Sequence, residues 1–491
     1  MILVNEKDEN FIEYLMGGVD LSFFQQHYWS LYLDFIEEFK EVEYKGILIP
    51  LLCDFSGLLK DNGKLVQKMQ NSSFKDHLKN KIYSDTQIQP LFDKYIQKGT
   101  NQNPVNQSSG KILLYEYVLR FPDNILKKYF DPSRTVILRK QKNMGGNKVI
   151  PTIYLEQYKK DVSEPVKKYQ EQIKDIILSP KSNHIFRKNN NLIEKFMECL
   201  PELLENLAAI NRFFEEVPIS CIIVGTTEDP ISRSIVAVAN SKGIPSICMQ
   251  HGLIMKEEGY LPVFSTIQAV YGEYEKAWYI NNGVLEERIE IVGHPRFDEL
   301  FSKKQMTSLL KKDRRVKYGK KRILIATQPN NLLEWEKLIK HLVMDQTNEI
   351  IIKPHPLELW NKDYRYYKML SSKYSSVKII LNPILHLYDI LPNVDVVVVN
   401  SSTVGLEAML FGKPITVFKH GINTNYFDKL DDFVQSEPRK IADNINNVLS
   451  NESFKNYYET KRKEFLSFAY TQNLSGNCLT ELINKLTTGI R

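Results

Sequence analysis

Short apolar runs separated by amphipathic stretches dominate the chain from Lys111 onward. Ile112–Val118 and Thr135–Leu138 read as strands, with a short helix over Asn124–Phe130 between them. Residues 155–215 have apolar positions at spacings of three and four and predict helix. A sharper series follows: Ile219–Val224 closed by Gly225, a helix over Ser234–Asn240, then strands at Pro245–Met249, Ile267–Tyr271 and Ile289–Val292. After residue 322 the rhythm restarts, with strands at Ile323–Ala326, Glu349–Ile352, Val377–Leu381, Val394–Val399 and Pro414–Phe418. Arg439–Leu486 is helical in pattern. Short continuous apolar strands alternating with helices predict parallel βαβ units covered on both faces. The fold class expected is therefore α/β, with two doubly wound Rossmann-like domains.

The first 110 residues show no such rhythm. Phe23–Phe39 predicts an aromatic-rich helix, Gly46–Cys53 a buried strand, and the polar stretch 99–110 a linker or long loop. The boundaries predicted are a mixed N-terminal extension over 1–110, one domain over 111–302, a second over 303–435, and C-terminal helices over 436–491 that pack back on the N-terminal domain. Two such sheets in tandem are expected to face a cleft, because open α/β sheets bind ligands beyond the carboxyl ends of their strands.

Composition narrows the class without naming a function. The chain is 43% hydrophobic and 25% charged, which suits packed cores and excludes disordered, collagen-like and coiled-coil readings. Five scattered cysteines offer neither a disulfide framework nor zinc-ligand spacing. No apolar run approaches the ~20 residues that span a bilayer, and the start lacks the features of a signal peptide. A cytoplasmic chain, peripheral to the inner face of the plasma membrane, is expected. The net charge of +6 is concentrated: residues 303–322 hold ten Lys/Arg and one Asp, so the remainder sums to −3. That segment is expected to touch a membrane surface or an anionic glycan carrier. With one aromatic residue, Tyr318, it does not predict nucleic-acid binding.

Five short motifs follow predicted strands. Gly225-Thr226-Thr227-Glu228-Asp229-Pro230 offers hydroxyls for capping or anion contact and carboxylates for base chemistry, with Asp229 also placed to cap the next helix. Gln250-His251-Gly252 puts an imidazole suited to proton transfer at a strand end. In Gly293-His294-Pro295-Arg296, either His294 or Arg296 can meet an anion, and the prolyl turn equally suits a fixed connection. Lys353-Pro354-His355-Pro356 presents a cation and an imidazole on a stiff loop, a diphosphate clamp in outline. Asn400-Ser401-Ser402-Thr403 opens a helix whose free N–H groups favour an anion, with Glu407 one turn inside, where it can reach ribose hydroxyls.

His251-Gly252, Lys353-Pro-His-Pro356, and Ser401–Thr403 with Glu407 and Gly412-Lys-Pro414 together resemble the GT-B glycosyltransferases of bacterial surface-polysaccharide synthesis. The nearest group is that of capsule polysaccharide biosynthesis, which includes the Kdo transferases; similarity to CDP-glycerol glycerophosphotransferases and to HP-motif sialyltransferases is looser. The resemblance spans about residues 215–425. It implies a metal-independent transferase without a cofactor, moving a sugar from a nucleotide donor, CMP- or another pyrimidine nucleotide favoured, to a surface or capsular glycan or its lipid-linked form. On that analogy Lys353, His355, Ser401, Ser402, Thr403 and Glu407 bind the donor. His251, Glu228 and Asp229 serve acceptor activation, with Thr226, Thr227, Gln250, His294 and Arg296 as further cleft contacts. The alternatives are a CDP-glycerol-type glycerophosphotransferase, a UDP-N-acetylglucosamine 2-epimerase and a non-catalytic scaffold. The epimerase turns are partly matched, but that family's Gly-Gly before the donor helix reads Ser401-Ser402 here.

Overall fold

The computed structural model describes residues 22–60, 62–101, 109–301, 320–329, 332–382, 386–421, 424–471 and 473–488. Of the two segments singled out by composition, 102–108 of the polar stretch and 303–319 of the basic stretch lie outside the described residues. The chain divides into two units. One comprises Met1–His251, Lys256–Arg296 and Gly476–Arg491; the other Gly252–Met255 and Phe297–Ser475.

The first unit is built on a seven-stranded parallel sheet. In chain order its strands are β3 (Lys111–Tyr115), β4 (Thr135–Arg139), β5 (Thr152–Tyr154), β6 (Ile219–Val224), β7 (Ser246–Met249), β8 (Ile267–Val270) and β9 (Ile289–Ile291). Their spatial order is β5-β4-β3-β6-β7-β8-β9. The central strand β6 is buried at every position, as its unbroken apolar run requires of a strand covered on both faces.

The N-terminal extension belongs to this unit. Its helix Phe23–Glu38 starts with a capping box in which the Ser22 side chain accepts from Gln25 N–H. Trp29, Tyr32, Phe35 and Phe39 are fully buried, with Tyr32 stacked on Phe55 at 4.5 Å and Phe35 edge-on to Phe196 at 4.9 Å. Aromatic packing of this kind adds roughly 0.5–1.5 kcal/mol per pair beyond area burial. Where a buried strand is predicted over Gly46–Cys53, the chain makes only a two-residue strand, β2 (Ile47–Leu48), against β1 (Glu43–Tyr44), then a helical turn over Ile49–Leu52. Pro50 is the reason: it cannot donate to a ladder but suits the first turn of a helix.

The second unit holds a six-stranded parallel sheet of β10 (Lys321–Ala326), β11 (Asn348–Lys353), β12 (Val377–Ile379), β13 (Val396–Val399), β14 (Ile415–Phe418) and β15 (Val434–Gln435). Its order is β12-β11-β10-β13-β14-β15. The four valines of β13 are all buried. Helices Pro438–Ser450 and Glu452–Ala469 stay with this unit, so the C-terminal helices do not return as a block. Only the last one joins the first unit, where Leu479, Leu482 and Ile483 enter the core beside Leu114 and Ile137.

Candidate functional site

In the first unit the strand ends bring several predicted residues into one neighbourhood. Gly225, directly after β6, lies so close to the preceding crossover that an added Cβ would sit 2.5 Å from Leu119 N. Only glycine lets the two backbones approach this far. The segment it touches is strained, with φ of +56° at Val118 and +54° at Arg120. Thr226 Oγ1 accepts from Glu228 N–H at 3.0 Å, tying the turn to itself. Asp229 caps the helix Pro230–Ser241, accepting from Ile231 and Ser232 N–H at 3.0 and 3.1 Å.

Arg233, one turn inside that helix, is a residue that the motif reading passed over. It is buried and donates to Thr227 O and Cys53 O, both at 2.6 Å. It therefore anchors the β6 turn to the N-terminal extension. Glu228 beside it is exposed, in a carboxylate-rich setting. Partial desolvation first, then the charge of Asp54, push its carboxyl above the ordinary range, against the opposing pull of Arg233. Glu258 is shifted upward for the same leading reason.

His251 stacks on Tyr260 with ring centroids 5.0 Å apart and an interplanar angle of 3°. Burial and the nearby Arg120 and Arg296 push its imidazole down to about 4, while a hydrogen bond with the Gly225 backbone acts the other way. It is neutral at physiological pH. Arg120 bears on both His251 and His294 and is a second residue absent from the motifs.

Of the remaining predicted contacts of this unit, Gln250 and His294 are buried, while Arg296 is half-buried and bears on His251. Gln250 is buried, donating to Glu275 Oε1 at 3.1 Å and accepting from Tyr271 N–H at 3.0 Å. His294 is at 0% exposure, edge-on to Phe121 at 5.6 Å, with its Nδ1 accepting from Arg296 N–H at 3.2 Å. Its enclosure, with Phe121 and Tyr271 edge-on to the ring, differs from the expectation of a cleft contact. Arg296 reaches Tyr271 OH at 3.4 Å.

Beyond β3 and β4 opens a cavity of about 840 Å³, lined among others by Asp54, Tyr117, Glu116, Arg139, Asp229 and Met144. Arg139 and Glu116 form an ion pair on its wall, and Tyr117 is exposed. Cys53 and Cys199, 146 positions apart in sequence, meet here with Sγ atoms 3.9 Å apart.

In the second unit the predicted donor residues sit at consecutive strand ends. Lys353 closes β11; burial lowers its ammonium and Glu407, across the sheet end, raises it. Among the described residues it forms no ion pair within 4.0 Å. His355 caps the short helix Pro356–Trp360 with Nδ1 accepting from Leu357 N–H at 3.1 Å. Its own N–H donates to Glu358 Oε2 at 2.7 Å. Glu358 is fully buried and also accepts from Thr327 OH at 2.6 Å and Tyr367 OH at 2.8 Å. This hub fixes the His-Pro turn; its local sequence signal is the capping box from His355 to Glu358, three residues on.

Ser402 caps the helix Thr403–Leu410, accepting from Val404 N–H at 3.3 Å. Ser401 OH donates to Asn400 Oδ1 at 2.8 Å and accepts from Thr424 N–H at 3.2 Å. Gly405 lets this helix press on the sheet, since an added Cβ would be 2.9 Å from Phe427 and 3.0 Å from Val399. The N-terminus of an eight-residue helix, a half-buried ammonium and a carboxylate one turn in thus converge beyond β11 and β13. His420, after β14, adds an imidazole pushed down to about 4 by burial against Trp335 and Phe418. At the start of this unit Lys321 and Arg322 are paired with Asp345 and Glu349 at 3.3 and 3.0 Å, so the last part of the basic stretch is spent within the sheet. Among the described residues, no group of three His, Cys, Asp or Glu side chains is arranged to hold a metal ion, and no helix is long and apolar enough to cross a membrane.

No curated protein matches the chain in sequence. Among solved structures, the UDP-GlcNAc 2-epimerase from Neisseria meningitidis bound to UDP-GlcNAc aligns with a TM-score of 0.50 at 13% identity, over 76% of this chain and 99% of that one. The wall teichoic acid polymerase TagF aligns at 0.46 and 13% identity, over 89% and 98%. Anabaena HepE in complex with UDP and glucose aligns at 0.47 and 13%, over 76% and 99%. The two sheets are the paired Rossmann-like layers of the GT-B fold. Residues 311–424, which carry Lys353, His355, Ser401–Thr403 and Glu407, match the family described as capsule polysaccharide biosynthesis protein.

Proposed function

We propose that the chain is a metal-independent glycosyltransferase of polysaccharide synthesis, moving a sugar from a nucleotide-activated donor to a surface or capsular glycan. The observation that carries this reading is the convergence of Lys353, the Ser402-capped helix and Glu407 inside the segment that matches the capsule family. In this reading the helix N-terminus and Lys353 hold the diphosphate and balance the charge that grows on it as the sugar leaves. Glu407 takes the ribose hydroxyls. Glu228 accepts the proton of the acceptor hydroxyl as its oxygen bonds to the anomeric carbon and the bond from that carbon to the phosphate oxygen breaks. A raised carboxyl pKa suits this base role, because proton transfer is most effective when the base titrates near working pH. His251, neutral, positions the acceptor rather than supplying charge. The cavity beyond β3 and β4 receives the acceptor, with Tyr117 offering an exposed ring face to a sugar.

A pyrimidine base on the donor is favoured. The test is a thermal-shift series with CMP, CDP, UDP and GDP, backed by calorimetry on Lys353→Ala. One base should stabilise the protein preferentially, and the variant should lose that binding; equal responses to all four, or normal binding by the variant, would sink the assignment. A 2-epimerase reading shares the fold and is separated by the product: incubation with a UDP-sugar alone should leave its configuration unchanged.

A further inference from the structure

We propose that a basic pocket in the first unit, remote in sequence from every motif above, binds an organic phosphate. The pocket measures about 480 Å³ and is walled by Lys64 and Lys68 of the helix Gly63–Met69, His77 of the following turn, and His184 and Lys188 of the helix His184–Lys188. Its floor is apolar, with Leu65, Phe74 and Ile185 at 3%, 4% and 5% exposure. Among the described residues no Asp or Glu lines it.

Three features point to an anion of this kind. First, the two walls come from segments that are each rich in positive charge: residues 60–81 hold six lysines against two aspartates, and 181–195 four Lys/Arg against one Glu. Folding them together without a counter-ion costs electrostatic energy that a bound anion relieves. Second, Lys64, Lys68 and Lys188 form no ion pair among the described residues, although many other lysines of the chain do. Third, the rings of His77 and His184 are stacked at 6.4 Å with an interplanar angle of 22°, and the charge of Lys188, then desolvation and the charges of Arg187, His77 and Lys68, hold the His184 imidazole low. Ring N–H groups of the two imidazoles can donate to phosphate oxygens beside the ammonium groups. Phosphate is favoured over carboxylate because a dianion balances several ammonium point charges at once. The apolar floor and the volume call for an organic body attached to it, either a sugar phosphate or a phospholipid head group.

The experiment is calorimetric titration with glucose 1-phosphate, with glucuronate as the carboxylate comparison, plus co-sedimentation with phosphatidylglycerol vesicles. The variant Lys68→Glu/Lys188→Glu changes two exposed side chains, and Lys440→Glu/Lys455→Glu in the second unit is the charge-matched control. Wild type and control should bind glucose 1-phosphate saturably, and the pocket variant at least tenfold more weakly. Binding to vesicles alone, lost in the pocket variant, would support the site and identify the head group as its source. Equal binding by all three proteins, equal affinity for glucuronate, or no binding to either phosphate probe would overturn the proposal. Lys353→Ala separates it from the transferase reading: that variant should lose nucleotide while keeping glucose 1-phosphate.

Discussion

Glu228 and His251 are pushed in opposite directions by desolvation. A carboxylate loses its charged form to desolvation and a histidine likewise, so the acid titrates high and the imidazole low. At neutral pH the pair is therefore one carboxylate still able to take a proton and one neutral ring. If Glu228 is the base, transfer requires its ionised form, and kcat rises with pH through a midpoint above that of an ordinary glutamate. His251 stays neutral until about pH 4 and contributes no second limb in that range. Glu228→Gln should lower kcat by roughly 10²–10⁴-fold and flatten the acidic limb, with donor binding preserved. A pH–rate profile for the variant that keeps the wild-type limb would assign the base elsewhere. The motif around Glu228 was readable in sequence because the strand–glycine–cap order is local. Arg233 and Asp54, which set its environment, and Arg120, which bears on His251, were not, since their role exists only once the extension and the crossover fold against the turn.

At the scale of elements, most strands and helices were legible from apolar runs and caps, while Gly46–Cys53 was misread because Pro50 overrides an otherwise strand-like composition. The helix Glu273–Asn281 shows a capping box with an energetic consequence. Glu275, its third residue, is fully buried, accepts from Gly272 N–H at 3.2 Å and from Gln250, and burial pushes its carboxyl up to about 8. The folded chain thus holds a proton there that the unfolded chain releases near pH 4.5. The stability tied to that proton is complete below this value and is lost as pH rises towards 8. Glu275→Gln keeps the hydrogen-bonding shape without the ionisation. In urea unfolding followed from pH 5 to 8, the wild type should lose stability more steeply than the variant; parallel curves would show that Glu275 ionises freely in the fold. The cap Asp229→Ala should instead cost about 1 kcal/mol at all these pH values, since its effect is loss of two N–H partners rather than titration.

At the scale of the whole molecule the two large parallel sheets dominate, and sequence rhythm revealed both because parallel strands buried on two faces leave few polar positions to blur the pattern. What it did not reveal is how the C-terminal helices divide between the units: two stay with the second sheet and only the last packs back on the first, as core complementarity and not periodicity decides. The last helix shows the difference. Gly476 packs so tightly on Tyr129 that an added Cβ would sit 2.1 Å from its ring, and Leu479 is 1% exposed in the first unit's core. Leu479→Ala should therefore destabilise that unit by roughly 2–5 kcal/mol, the range for a leucine cavity in a core. The chain carries its own reporters, with Trp29 buried in the first unit and Trp335 in the second. Single-tryptophan versions retaining one or the other should show the Trp29 transition moved to lower urea and the Trp335 transition unmoved. Movement of both together would mean that the two sheets unfold as one cooperative body, and that the final helix stabilises the second unit as much as the one whose core it enters.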